Sequence, residues 1–240
     1  MDPAIGAPVI AIDGPSGSGK GTISRRVAEA LDWHLLDSGA LYRLVALAGQ
    51  QGGLPADDEE AHARLAGQMV VAFGTGAGGG EQVLLGVEKQ DVTHLIRSEQ
   101  AGAGASRVAA WPSVRAALLA RQRGLARLPG LVADGRDMGT VVFPGASLKI
   151  YLTASAEERA RRRYNQLKDK DSGASLAALS RDIAERDRRD TTRSVAPLRP
   201  ASDAVVIDST QLGIDQVVRQ VLREAHTRGL SGNDRSGARF

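Results

Sequence analysis

The chain has 240 residues, 42% hydrophobic and 25% charged, a size and composition that suit one or two globular domains with an ordinary core. It has no cysteine, which excludes disulfides, thiolate metal sites and a cysteine nucleophile, and its histidines (His34, His62, His94, His226) stand singly, without the paired spacing of a zinc site. A net charge of +3 suits an anionic ligand without demanding a polyanion, and two Trp, three Tyr and three Phe are too few for a base-stacking nucleic-acid platform.

In chain order, Met1-Asp2-Pro3-Ala4 has no basic stretch leading into an apolar one, and no later apolar run approaches a membrane span. The expectation is a soluble, cytoplasmic protein with neither membrane nor nucleic acid as partner. Val9-Ile10-Ala11-Ile12, ending in Asp13-Gly14, reads as a buried strand. After a glycine-rich turn, Ile23, Val27, Ala28 and Leu31 recur at helical spacing from Lys20 onward. Leu35-Leu36-Asp37 is a second short strand, and Ser38 is placed to cap a helix carrying Leu41, Leu44, Val45 and Ala48. Met69 to Phe73 and Gln82 to Val87 flank residues 74–80, five of which are glycine, so this stretch reads as a hairpin within a β insert spanning about 65–105. Further strands are expected at Leu131 to Ala133, Leu148 to Leu152 and Ala204 to Ile207, with helical patterns between them and after the last. Continuous apolar strands alternating with helices predict an α/β fold, a parallel sheet covered by helices on both faces. Residues 229–240 are rich in Gly, Ser, Asn and Arg without periodicity and are expected to form a disordered tail.

The most informative stretch is Gly14-Pro15-Ser16-Gly17-Ser18-Gly19-Lys20-Gly21-Thr22. Glycines allow successive backbone N–H groups to turn inward at a helix N-terminus, forming an anion nest, and Lys20 would reach the β- and γ-phosphates of a nucleoside triphosphate. The strict P-loop pattern puts Ser or Thr directly after the lysine, whereas Gly21 intervenes here before Thr22. The alternative is a glycine-rich turn with a surface lysine. A strand before the loop and a helix after it favour the phosphate reading.

Gly-Lys-Gly-Thr resembles the nucleoside monophosphate kinases. Four further stretches narrow the resemblance to bacterial cytidylate kinases: Asp37 to Arg43, Pro112-Ser113-Val114-Arg115, Asp134-Gly135-Arg136-Asp137-Met138-Gly139-Thr140, and Arg186 to Pro197. It covers roughly Pro8 to Arg223, the Asp134 to Thr140 run being the most specific part. It implies a P-loop kinase that passes the γ-phosphoryl group of ATP to CMP or dCMP, with Mg2+ carried on ATP, working as a monomer. It also implies one kinase domain over 1–228, with a core of 8–37, 106–154 and 194–228. The monophosphate-binding region would be 38–105 and a lid would span about 157–175.

Because the acceptor is a phosphate oxygen, already anionic at neutral pH, the chemistry needs positioning and cations rather than a general base. Arginine suits this, since its planar fork binds phosphate oxygens bidentately and stays charged. The resemblance puts Arg43, Arg136 and Arg193 around the acceptor phosphate. Asp134, at the end of a predicted strand, either organises magnesium through water, alone or with Thr22, or serves as a cap or arginine partner. By resemblance, Asp137 and Ser38 accept from the cytosine amino group, Arg115 donates to the base, and Arg193 lies near that pocket. Ser106, Arg186 and Asp190 correspond to ribose contacts. Tyr42 either packs beside the nucleotide or belongs to the core. Between Glu157 and Arg193, eleven basic residues interleave with eight acidic ones, too balanced for a nucleic-acid arm. Arg159, Arg162 and Arg163 fall on one helix, either closing over ATP phosphates as part of the lid or engaged in surface ion pairs.

Overall fold

The computed structural model describes residues 6–75, 81–168 and 175–231. The glycine-rich stretch 76–80, residues 169–174 of the expected lid and the expected tail beyond 231 lie outside the described residues. The chain opens with strand β1 (Val9–Asp13), helix α1 (Lys20–Leu31), β2 (His34–Asp37), α2 (Ser38–Gln51) and α3 (Glu59–Gln68). Then come β3 (Val71–Thr75), β4 (Glu81–Leu85), β5 (Gln90–Asp91), α4 (Glu99–Val108) and α5 (Pro112–Arg123). The remainder is β6 (Leu131–Gly135), β7 (Leu148–Thr153), α6 (Ala156–Lys168), α7 (Leu176–Thr192), β8 (Val205–Asp208) and α8 (Ile214–Thr227).

The contacts divide the chain into two units, residues 1–37 with 122–240, and residues 38–121. In the first, a five-stranded sheet runs in the order β2-β6-β1-β7-β8, each neighbouring pair parallel. The α/β fold expected from the sequence is therefore present. β1 and β6 are buried at every position, because central parallel strands face protein on both sides. Strand alternation sends Ile10, Ile12, Val132, Leu148, Ile150 and Leu152 into one core, where they meet Ile23, Val27 and Leu31 of α1 and Val217, Val221 and Ala225 of α8. Each such side chain removed from water contributes about 1.5–3 kcal/mol. The opposite face carries Asp13 and Lys149 and receives a π-helical turn, Met138–Val142, between β6 and β7.

In the second unit, β3, β4 and β5 form an antiparallel sheet, so the predicted hairpin acquires a third strand. Gly86 and Lys89, both at positive φ, turn the chain back, and β5 is two exposed residues too short to leave a periodic signal. Residues 99–108, placed by sequence in the β insert, are the helix α4, which packs on α2 closely enough that a Cβ on Gly104 would lie 2.9 Å from Ala46. α2 begins at Ser38 itself, directly after β2, so Ser38 is the first residue of that helix rather than a cap preceding it.

Candidate active site

The glycine-rich loop leaves the C-terminal end of the central strand β1 and runs into α1. At Gly14 a Cβ would fall 2.0 Å from the Leu152 carbonyl oxygen, so the loop can lie this close to β7 only with glycine there. Gly19, at φ 91°, turns the chain into α1. Lys20 is buried, and its Nζ donates to the Pro15 carbonyl at 3.0 Å, arching the side chain back over the loop. The Ser18 hydroxyl is buried without a hydrogen-bond partner among the described residues. Two arginines of α6 reach the loop's carbonyls: Arg159 donates to Ser16 O at 3.0 Å, and Arg162 to Ser18 O at 3.2 Å. Arg159 also donates to Ala154 O at 3.0 Å and pairs with Asp187 at 2.6 Å. Both therefore brace the loop from its carbonyl side. Arg163 instead donates to Gln166 on its own helix at 3.0 Å.

Around Lys20 the first unit gathers charge of both signs. Burial pushes the Lys20 ammonium down, as do the Arg136 and Arg186 charges, against the pull of Asp134 and Asp190. Burial pushes Asp134 up, with Asp37 and Asp13 adding to the effect and Lys20 and Arg136 opposing it. Arg136 donates from Nε to Asp190 at 2.9 Å and from Nη1 to Gly135 O at 3.2 Å. Burial also acts to raise Asp190, but Arg136, Arg193 and Arg186 together outweigh it and hold the carboxyl below its ordinary value. Arg193 donates to Ala196 O at 2.8 Å at the end of α7. Lys20, Asp134, Arg136, Arg186, Asp190 and Arg193, separated widely in sequence, thus share one charged cluster whose members are within electrostatic reach of each other.

Asp137 is buried at the start of the π-helical turn, its carbonyl accepting from Val141 N at 2.9 Å and Val142 N at 3.1 Å. The other expected monophosphate residues lie in the second unit. Ser38 and Tyr42 are buried on α2, and the Arg115 guanidinium sits 5.9 Å from the Tyr42 ring centroid, within cation–π range. Arg115 also donates to Ala109 O at 3.3 Å. The first turn of α5, which carries Arg115, is capped by Glu59, which accepts from Ser113 N at 3.0 Å and Ser113 Oγ at 2.6 Å. Arg43 donates to Ile96 O at 2.9 Å, and the Ser106 hydroxyl is buried without a hydrogen-bond partner among the described residues.

Gly21, where the loop departs from the strict P-loop pattern, lies against Asp134. A Cβ there would lie 3.3 Å from Asp134 Oδ2, so a side chain directly after the lysine would crowd the carboxylate. Gly21 and Thr22 are exposed beside it. Asp134 is a hard oxygen donor when ionised, and a cation beside it would favour that ionised form against the effect of burial. Among the described residues no group of three His, Cys, Asp or Glu side chains could hold a metal ion. Sequence reasoning passed over three residues that shape this region, Asp13, Glu59 and Arg123. The first was read only as a strand end, and the other two lie in no motif the sequence singled out.

A strand, an anion-nesting glycine loop and a helix opening on a buried lysine, with arginines and carboxylates at the same end of a parallel sheet, define a P-loop phosphotransferase. A profile of the cytidylate kinase family matches residues 10–227. The cytidylate kinase of Pseudomonas savastanoi pv. phaseolicola is 59% identical over 229 residues, covering 95% of this chain and 99% of that one. That of Stutzerimonas stutzeri is 57% identical over 225 residues, 94% of this chain and 98% of the other. Among solved structures, the shikimate kinase of Acinetobacter baumannii in complex with shikimate aligns at a TM-score of 0.46 with 15% identity, over 94% of this chain and 97% of that one. The chain belongs to the cytidylate kinase family. No helix among the described residues is long and apolar enough to cross a membrane.

Proposed function

We infer that this chain is an ATP-dependent kinase of CMP and dCMP. A phosphate oxygen of the monophosphate attacks the γ-phosphorus of ATP, the bond from that phosphorus to the β,γ-bridging oxygen breaks, and ADP leaves with CDP or dCDP formed. The reading is supported most by the cluster of Lys20, Arg136, Arg186 and Arg193 at the mouth of the glycine loop, where transferring charge needs fixed cations. The N–H groups of Ser16 to Thr22 cradle the donor phosphates, and Lys20 leaves Pro15 O to neutralise the β- and γ-oxygens. Magnesium, entering with ATP, supplies further neutralisation there, and Asp134 and Thr22 would hold it through water.

Arg136 and Arg193, with Arg43, bind the acceptor phosphate, and the Asp190 carboxylate keeps the Arg136 fork oriented. Asp137 and Ser38 accept from the cytosine N4 amino group, Arg115 donates to the base with Tyr42 beneath its guanidinium, and Ser106, Arg186 and Asp190 contact the ribose. Arg159 and Arg162 act on ATP through the loop they brace, within a lid of about 157–175. Residues 38–105 form the monophosphate-binding region of a single kinase domain over 1–228 that works as a cytoplasmic monomer. A coupled assay of ADP release with ATP and a panel of CMP, dCMP, UMP, AMP and GMP tests the reading. Turnover confined to CMP and dCMP is expected, and equal turnover of another monophosphate refutes it.

A further inference from the structure

Asp13 is buried at the end of β1, directly before the glycine loop. Its two carboxylate oxygens are committed to backbone: Oδ1 accepts from Met138 N at 2.8 Å and Oδ2 from Gly139 N at 2.8 Å. These are the first two amides of the π-helical turn Met138–Val142, whose wide loops close through Val142 N to Asp137 O at 3.1 Å and Phe143 N to Met138 O at 2.7 Å. The far end of the same turn is held by an arginine of α5. Arg123 donates from Nε to Val142 O at 2.9 Å and from Nη2 to Val141 O at 3.1 Å.

The charges match the turn. An anion sits on its amide end and a cation on its carbonyl end, where the unsatisfied groups of a short helix would otherwise face apolar protein. A Cβ on Gly139 would lie 3.2 Å from the Lys149 chain and 3.4 Å from Asp13 Oδ2, so a larger residue there would require the Lys149 chain to give way by a few tenths of an ångström. Wide π-helical turns are less stable than α-helix and occur often at functional sites, so a turn this short needs such support. What it supports lies immediately upstream: Arg136 and Asp137, the second tied to the turn by its own carbonyl.

We propose that Asp13 and Arg123 are positioning residues for CMP: by clamping the two ends of the π-helical turn they aim Arg136 and Asp137 at the acceptor nucleotide, and so set the preference for cytosine without touching the substrate. This rests on the CMP kinase reading above. Because Arg123 is exposed, Arg123→Ala removes one end of the clamp without opening the core. The experiment measures kcat and KM for CMP and ATP, kcat/KM for UMP, and thermal midpoints, in the wild type, Arg123→Ala, Arg123→Lys and Asp13→Asn. Loss of two bonds to carbonyls is expected to raise KM for CMP roughly five- to tenfold and to lower the CMP-over-UMP preference by a similar factor. KM for ATP should stay within about twofold and the midpoint should fall by only several degrees, about 2–4 °C per kcal/mol lost, with Arg123→Lys recovering part of the loss. Asp13→Asn, whose amide can accept from only one of the two N–H groups, should shift the same CMP parameters. Two results would overturn the proposal while the wild type phosphorylates CMP: wild-type KM and base preference in Arg123→Ala, or a fall shared equally by CMP and ATP. A wild type that does not phosphorylate CMP removes the CMP kinase reading and this inference with it.

Discussion

The Arg136–Asp190 pair gives the sharpest stability prediction. Its N–O distance is 2.9 Å, with the side chains only 16% and 7% exposed. Asp190→Ala leaves the Arg136 guanidinium desolvated with Lys20 still nearby and Asp134 and Asp13 to offset the charge. Removing one partner of a buried pair costs roughly 3–5 kcal/mol. For a chain of this size that corresponds to a thermal midpoint lower by roughly 6–20 °C. Replacing both partners by apolar residues of similar volume, Arg136→Met with Asp190→Leu, should recover most of the loss, because one charge of each sign is removed and the balance of the cluster is kept, while phosphoryl transfer is lost. Urea unfolding of the wild type, both single variants and the double variant, followed by circular dichroism, reads the coupling directly. Added sulfate should recover more of the midpoint in Asp190→Ala than in wild type, since an anion can occupy the position of the missing carboxylate. A cost below about 1 kcal/mol for Asp190→Ala would show the pair to be solvated and the argument from burial to be wrong.

Lys20→Ala should nearly abolish phosphoryl transfer while leaving CMP affinity, measured by calorimetry, close to wild type; full turnover in that variant refutes the role of the lysine at the donor phosphates. Asp137→Ala should lower kcat/KM for CMP far more than for UMP, because an ionised carboxylate accepts from the cytosine amino group and repels the uracil O4. An equal loss for both bases refutes the assignment. Burial pushes Asp13 from 3.8 up to about 6, so the folded state holds this proton more tightly than the unfolded state does. The resulting stability is fully present below 3.8 and lost as pH rises through about 6, an amount on the order of 3 kcal/mol. Unfolding free energies of wild type should therefore fall relative to those of Asp13→Asn across that window, and a pH-independent difference between the two refutes the shift.

The sequence by itself determined the elements whose cause is local. The apolar run of β1, the helical spacing of Ile23, Val27 and Leu31, and the glycines between them are all read within a few residues, and the structure has β1, the loop and α1 in those places. The sequence also marked most of the charged cluster, through the resemblance that assigned Arg136, Arg186, Asp190 and Arg193 to the monophosphate. What it could not decide was which of these charges pair, since partner choice is made by packing between distant segments. Arg136 and Asp190 are 54 residues apart, and Arg159 lies 143 residues from the Ser16 carbonyl it braces. The short β5 strand and the start of α2 at Ser38 were likewise set by neighbours rather than by composition. The π-helical turn is the clearest case. Nothing in Met138-Gly139-Thr140-Val141-Val142 distinguishes it from an ordinary loop, and it exists where Asp13, 125 residues from Met138, presents two acceptors to its amides while Arg123 takes its carbonyls. Backbone groups that a local pattern leaves unsatisfied must find partners when they are buried, and only the folded chain determines which side chains come near enough to serve.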